Sequence, residues 1–298
     1  MSVPRLVITP GDPVGVGPEV TAKALASLGG DVDAVVVGHP SCRAWLEREG
    51  VDAAFHATGT GAEPAEVEAL RLAVAWCRQG RADALVTGPI HKARLAAQGF
   101  AHPGHTTFLG ELCGIERPVM AFVGGAVRVA LVTVHVPLAQ VSTLLTEDGV
   151  VHTVRTAHRA LVDQLGIAAP RLLVCGLNPH AGDDGLMGDE EARVIRPAVL
   201  ACQREGIDAR GPVSAEAAFR MALQGEADLV VATYHDQGLA PLKALDALTG
   251  DGAVNWTLGL PIVRTSVDHG TADDIAGQGI ADPRSMRAAI ELAVTLTR

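Results

Sequence analysis

Three histidines stand at or just past the end of a short apolar run: VRVALVTVH ends at His135, RLLVCGLNPH at His180 and ADLVVATYH at His235. Neutral imidazole is the commonest protein ligand for a divalent metal, and zinc sites that do chemistry often use three protein ligands and leave one position open. Three imidazoles with the same placement therefore point to a catalytic divalent metal site. The plainer alternative is a loop histidine bonded to nearby backbone, and with the three so far apart in the chain, spacing alone does not decide between them.

Runs of this length, rich in Val, Leu and Ala, read as buried parallel strands, and ligand sites in open α/β sheets gather at the carboxyl ends of strands. With these three included, apolar runs recur at 5–9, 33–38, 83–87, 118–123, 127–134, 171–177, 228–233 and about 261–266. Helical patterns fall between several of them. Val67, Leu70, Val74 and Cys77 form a stripe between Pro64 and Gly80, and Val150, Val154, Ala157, Leu161 and Leu165 form another between Gly149 and Gly166, with His152 and His158 expected on its solvated side. Such alternation predicts crossover connections and a largely parallel sheet. The runs at 118–123 and 127–134, joined by Gly124 and Gly125, read instead as a hairpin marking the passage into a second domain. Boundaries near 118 and 257 follow.

The composition narrows the class. A chain of 298 residues with 48% hydrophobic residues supplies a full core. Aromatics at 3% and a net charge of −10 argue against a nucleic-acid partner. Five cysteines without CxxC spacing read as reduced thiols, and no apolar stretch approaches the roughly 18 residues that cross a bilayer. With no leader pattern in MSVPRLVITPGDP, a soluble cytoplasmic protein is expected.

Several loops add chemistry. TPGDPVGVGPEV follows the first strand and carries Gly15 and Gly17, but Val20 occupies the third glycine position of a dinucleotide fingerprint, and no acidic residue ends the second strand. A glycine-lined loop feeding a helix at Pro18 accounts for it better, with Asp12 as a turn residue in preference to a site residue. His91 and Lys92 follow DALVTGP, and HPGHTTFLG offers His105, Thr106 and Thr107, donors suited to a phosphate or carboxylate. From Tyr234 to Arg264 the chain adds Asp236, Lys243, Asn255 and Arg264, whose cations would bind an anionic substrate or lie on the surface. SVDHGTADDIAGQGIADP packs turn formers and carboxylates into one loop before the last helix.

Together ITPGDPVGVGPEV, TGPIHK, GHTTFL, LNPHAGDDGLMGDEE, YHDQGLAPLK and LGLPIVRTSVDHGTADDIAGQG resemble the 4-hydroxythreonine-4-phosphate dehydrogenase family, in order and across nearly the whole chain. The last block also resembles the adenosine-binding loop of isocitrate and isopropylmalate dehydrogenases. The resemblance implies two α/β/α domains of the isopropylmalate dehydrogenase type with the active site in the cleft between them. The first domain, 1–117 plus 258–298, would carry the NAD adenosine loop, and the second, 118–257, the metal histidines and the dimer contacts.

The resemblance also implies roles. His135, His180 and His235 would hold one divalent ion, zinc, magnesium, cobalt or manganese, in a homodimer whose partner subunit supplies one ligand. His105, Thr106, Lys243, Asn255 and Arg264 would bind a small phosphorylated hydroxy acid. Asp268, His269, Gly270, Thr271, Asp274 and Gly277 would hold NAD, the preference over NADP resting on resemblance alone. The implied reaction is oxidation of a secondary alcohol β to a carboxylate, then loss of carbon dioxide, with Asp236, Glu216 and Lys243 as catalytic candidates.

Departures from the family pattern touch the substrate. GPVSAEAAF puts Glu216 where an aspartate is usual and Ala217 where a threonine is, and Thr107 replaces a glutamate. The stretch 40–65 is shorter than usual, and that between Lys243 and Asn255 slightly longer. Rival substrates are a phosphorylated threonate or erythronate and a carboxylated cyclic dihydrodiol. A metal hydrolase using the same histidines is the rival from another class, and a non-catalytic binder is the third.

Overall fold

The computed structural model describes residues 3–298, and the chain divides into two compact units, 1–118 with 251–298, and 119–250. In chain order the first unit contains β1 (Arg5–Thr9), α1 (Gly17–Leu28), β2 (Asp33–Gly38), α2 (Arg43–Arg48), β3 (Ala54–Ala57), α3 (Ala65–Arg78), β4 (Ala84–Thr87), α4 (Lys92–Ala97) and α5 (His105–Cys113). The second contains β5 (Val119–Gly124), β6 (Val127–Leu131), α6 (Leu138–Leu144), α7 (Glu147–Leu165), β7 (Arg171–Cys175), α8 (Arg196–Arg204), β8 (Asp208–Val213), α9 (Ala215–Leu223), β9 (Leu229–Ala232) and α10 (His235–Thr249). The chain then returns to the first unit with β10 (Val254–Leu258), β11 (Val263–Val267) and α11 (Arg284–Leu296).

In the first unit the strand order is β3-β2-β1-β4-β11-β10, parallel except for the final pair. β1 shows why its run is apolar throughout. Leu6 and Ile8 pack with Val20 and Leu25 of α1 and Met286 and Ile290 of α11, while Val7 packs with Val67, Leu70 and Val74 of α3 and Phe108 of α5. A strand covered on both faces needs hydrophobic residues at both phases of its period of two.

In the second unit the order is β5-β6-β9-β7-β8, with only β5 and β6 antiparallel. The expected hairpin is present, with Gly124 opposite Val127. α7 begins where the Thr146 hydroxyl accepts the Gly149 amide at 3.1 Å and ends at Gly166 in the left-handed region. His152 and His158, expected on its solvated face, are half-buried.

Two differences from the expected layout have simple causes. β3, β8 and β10 escaped the apolar scan because AFHA is only four residues long and broken by His56, DARGPV carries charges and a Gly-Pro, and VNWTL follows a polar loop. β10 pairs antiparallel with β11, Val254 opposite Val267, so residues 251–257 belong with the first unit and the return crossing lies before β10.

The fully buried Glu19 of α1 secures the entry to α11. Its carboxylate accepts the Lys23 ammonium at 2.8 Å and the amides of Gly279 and Ala281 at 3.2 and 2.8 Å, while Lys23 also donates to the carbonyls of Gly279 and Ala281. Removing one partner of such a pair leaves the other charge poorly solvated. Glu19→Ala is expected to destabilise the protein by about 3–5 kcal/mol in denaturant unfolding; a loss below about 1 kcal/mol would show that the pair contributes little.

Candidate functional site

The parallel ladder of the second unit continues past its last regular pairs. The Val132 amide donates to the Ala232 carbonyl at 2.9 Å, and the Thr133 amide and hydroxyl both donate to the Thr233 carbonyl, at 3.2 and 2.7 Å. Gln237 then joins β9 to β7: its side-chain oxygen accepts the Thr233 amide and hydroxyl at 2.7 and 2.9 Å, and its side-chain nitrogen donates to the Gly176 carbonyl at 2.7 Å. Beyond this rail come His135, four residues after β6, and His235, the first residue of α10.

These two rings stand 5.6 Å apart between centroids, inclined by 44°. Two imidazoles bound to one ion at about 2.0–2.1 Å place their ring centres on the order of 5 Å apart, so the pair fits two ligands of a single ion. His235 Nδ1 lies 2.7 Å from Asp236 Oδ1. A carboxylate there holds the proton on Nδ1 and leaves Nε2 for a metal, the usual outer arrangement of a histidine ligand.

His180 comes from a different construction. His180, Ala181, Gly182, Asp183 and Asp184 all have φ between 42° and 83°, a left-handed run that non-glycine residues adopt only when their surroundings fix it. The fixing groups are Glu190 and Glu191. The nearly buried Glu191 accepts the Asn178 amide at 2.8 Å and its side-chain nitrogen at 3.0 Å. Glu190 accepts the Asn178 side chain at 2.7 Å and the Ser142 hydroxyl at 2.6 Å, and these bonds hold its carboxyl below the usual range. No three His, Cys, Asp or Glu side chains among the described residues form a group able to hold a metal, so His180 does not complete the His135–His235 pair within one chain. His180 lines a pocket of about 640 Å³ with Glu216, Phe219, Tyr234, Asp236 and Gln237. Lys243 lies exposed on α10.

The first unit gathers cations instead. Arg264 of β11 is 2% exposed, and its guanidinium donates to the oxygens of Asn255, Thr257 and Thr87 at 3.1, 2.8 and 2.6 Å, while its buried Nε has no partner among the described residues. All three acceptors are neutral. Burial lowers its pKa to about 9, so it stays charged at neutral pH without a carboxylate to offset it. Burial, followed by the charges of Arg264 and Lys92, holds His105 well below the usual imidazole range, so its ring is neutral. His105 and Thr106 open α5, whose first amides point their N–H groups outward. Lys92 Nζ would lie 3.9 Å from a Cβ added to Gly104, the residue before His105. These groups suit an anion, and no acidic side chain among the described residues competes for Arg264.

The loop from Asp268 to Gly277 lies in the same unit. The Asp268 amide donates to the Ser285 hydroxyl at 3.1 Å, His269 Nδ1 lies 2.9 Å from the Gly270 carbonyl, and a Cβ on Gly270 or Gly277 would meet nothing within 4 Å. Thr271 is buried against Gly15, where an added Cβ would stand 2.9 Å from the Thr271 Cβ, and Asp274 is exposed. The open backbone around Gly270 and Gly277 fits a ligand that approaches it closely. Gly15 and Gly17 are thus explained by packing, since a Cβ on Gly17 would collide with the Pro10 carbonyl at 1.9 Å.

Gln237, Asn178, Glu190 and Glu191 lie inside quoted blocks but received no role there, because they act through others. Arg94 lies outside every block, in a six-residue helix with no periodic signal.

The family profile described as pyridoxal phosphate biosynthetic protein PdxA matches residues 38–293. A 4-hydroxythreonine-4-phosphate dehydrogenase from Geobacter metallireducens is 45% identical, the match covering 99% of this chain and 96% of the relative. The crystal structure of a 4-hydroxythreonine-4-phosphate dehydrogenase from Klebsiella pneumoniae superposes with a TM-score of 0.88 at 34% identity, covering 99% of this chain and 98% of the other. A terephthalate 1,2-cis-dihydrodiol dehydrogenase from Burkholderia xenovorans gives 0.70 at 27% identity, over 99% and 98%. A β-decarboxylating dehydrogenase from Thermococcus kodakarensis shares the fold alone, with a TM-score of 0.51 at 18% identity over 98% and 83%.

The buried Arg264 generates a test. Arg264→Met removes a charge that has no counter-charge and is expected to melt no lower than wild type in phosphate-free buffer. Inorganic phosphate is expected to raise the melting temperature of the wild type and leave that of the variant unchanged. A wild type indifferent to phosphate and sulfate would rule out an anion site.

Proposed function

The chain belongs to the PdxA family of pyridoxal phosphate biosynthetic proteins, and we propose that it is an NAD- and divalent-metal-dependent dehydrogenase that oxidises and decarboxylates 4-hydroxythreonine 4-phosphate to 3-amino-2-oxopropyl phosphate. The observation that carries this reading is Arg264, a buried guanidinium surrounded by neutral acceptors and near the amino end of the helix opened by His105 and Thr106. A buried charge of this kind is strongly unfavourable until an anion joins it, which suits a phosphorylated or carboxylated substrate.

Arg264, Asn255, His105, Thr106 and Lys243 are the proposed substrate contacts. His105, neutral at the working pH, donates or accepts a single hydrogen bond without adding charge. A divalent ion held by His135, His180 and His235 would supply Lewis acidity at the hydroxyl being oxidised, and NAD on the Asp268–Gly277 loop the hydride acceptor. Asp236 keeps the proton on His235 Nδ1 and so fixes the ring's orientation. Glu216, across the same pocket from His180, is the proposed acceptor of the hydroxyl proton, with Asp236 and Lys243 as the other groups able to move one. Carbon dioxide then leaves from the β-keto acid. Because His135 and His235 pair within the chain and His180 does not join them, the third ligand is proposed to come from the second subunit of a homodimer. A cytoplasmic setting is proposed with it; no helix among the described residues is long and apolar enough to cross a membrane.

Glu216 supports a second reading. It stands where the family has a shorter aspartate, a change that suits a substrate whose reacting hydroxyl is displaced, such as 4-phosphothreonate or 4-phosphoerythronate. A carboxylated dihydrodiol is the less favoured substrate, the corresponding relative superposing at 0.70 against 0.88.

Incubating the protein with NAD, a divalent metal and a panel of these phosphorylated hydroxy acids should give NADH with 4-hydroxythreonine 4-phosphate as the best substrate. Ester hydrolysis without NADH from any member would replace the dehydrogenase with the metal hydrolase. Neither His180→Ala nor His235→Ala subunits should be active alone, and mixing them should recover part of the activity. No recovery despite demonstrated subunit exchange would rule out a shared site.

A further inference from the structure

We propose that Arg94, which no motif marks, is the positioning residue for the nicotinamide dinucleotide: its guanidinium ties the 271–274 turn to the loop after β1 and neutralises the carboxylate that faces the cofactor. The proposal rests on the reading that the Asp268–Gly277 loop holds a dinucleotide.

Two segments distant in the chain converge on this one side chain. Arg94 Nη1 and Nη2 donate to the two oxygens of Asp273 at 2.6 and 3.0 Å, a bidentate fork. Its Nε donates to Asp12 Oδ2 at 2.7 Å. Asp12 is 2% exposed, with its amide donating to the Pro89 carbonyl at 2.9 Å and its other carboxylate oxygen accepting the Val14 amide at 3.0 Å. The Arg94 amide donates to His91 Nδ1 at 3.1 Å, which leaves the proton on His91 Nε2, 3.7 Å from Asp273. A fourth link runs beside these: the Val16 amide donates to the Thr271 carbonyl at 2.9 Å. The turn from Thr271 to Asp274 has no strand or helix of its own, and Ala272 sits in the left-handed region at φ 43°. Its pose depends on these bonds.

The bond to Asp273 bears on ligand binding more than on folding. Asp273 is exposed, and exposed ion pairs contribute little to global stability. The loop carries three carboxylates, Asp268, Asp273 and Asp274, whereas a dinucleotide brings a doubly negative pyrophosphate. Arg94, first among the causes, holds Asp273 ionised with a pKa of about 2, followed by the Thr271 side chain. Without Arg94 the turn would lose its anchor and present a bare carboxylate to an anion. Like charges at such range oppose binding.

The test compares Arg94→Gln, Arg94→Lys and the double variant Arg94→Gln with Asp273→Asn in the intact, metal-loaded enzyme. Arg94→Gln should raise the KM for NAD by about tenfold or more, with kcat at saturating NAD and the KM for the hydroxy acid changed by less than about twofold. Because Asp12 is buried, the melting temperature of this variant should also fall, so the readout that marks a binding role is the split between a raised KM for NAD and an unchanged kcat at saturation. Arg94→Lys keeps the charge without the fork and should fall between. The double variant should recover part of the NAD affinity, because the carboxylate left bare is gone. Calorimetric titration with NAD and with ADP-ribose separates the two levels of the argument. A wild type that binds neither removes the dinucleotide reading and this inference with it. A wild type that binds, with Arg94→Gln binding as tightly, overturns the role of Arg94 alone, as does a variant that loses kcat while keeping its KM for NAD.

Discussion

A parallel ladder runs out at its carboxyl end, and every backbone group past the last regular pair must find another partner. The second unit answers with side chains. Thr133 and Gln237 extend the ladder across β6, β9 and β7, and the residues that follow are fixed because the rail is fixed. In the first unit the Ser266 hydroxyl donates to the Thr87 carbonyl at 3.0 Å, and Arg264 takes the Thr87 hydroxyl. The chemistry is mounted on hydrogen bonds that the fold requires in any case, so orientation comes without a separate ordering cost.

Two kinds of support recur above this base. One is the carboxylate that organises a loop without entering the reaction: Glu19 for the approach to α11, Glu191 for the His180 turn, Asp12 for the loop after β1. The other is the unbalanced charge. Arg264 lacks a counter-ion among the described residues, whereas Arg94 is shared by two carboxylates. The first cation keeps its charge unbalanced, and the second is taken up in tying two loops together.

Much of this was legible in the residues. The strands that are apolar at both phases of their period, β1, β2, β4, β6, β7 and β9, declared themselves, and the Gly124–Gly125 hairpin was visible from its spacing. The positions of His135 and His235 followed from where those runs stop. The left-handed run through His180 was not readable, since four of its five residues have side chains and nothing in PHAGDD beyond Gly182 favours φ above zero. β8 and β10 were hidden by charge and brevity, and with β10 went the domain boundary. Arg264 read equally well as surface or site, because burial of a long cation depends on three neutral acceptors, one of them, Thr87, 177 residues away in the chain.

The neutral cage around Arg264 also sets terms for inhibitor chemistry. A small fragment without charge would leave the guanidinium as costly as it found it, however well it filled the space. A compact anionic head group would draw most of its affinity from that one contact, so binding energy per heavy atom should be concentrated in the head and thin out along the tail.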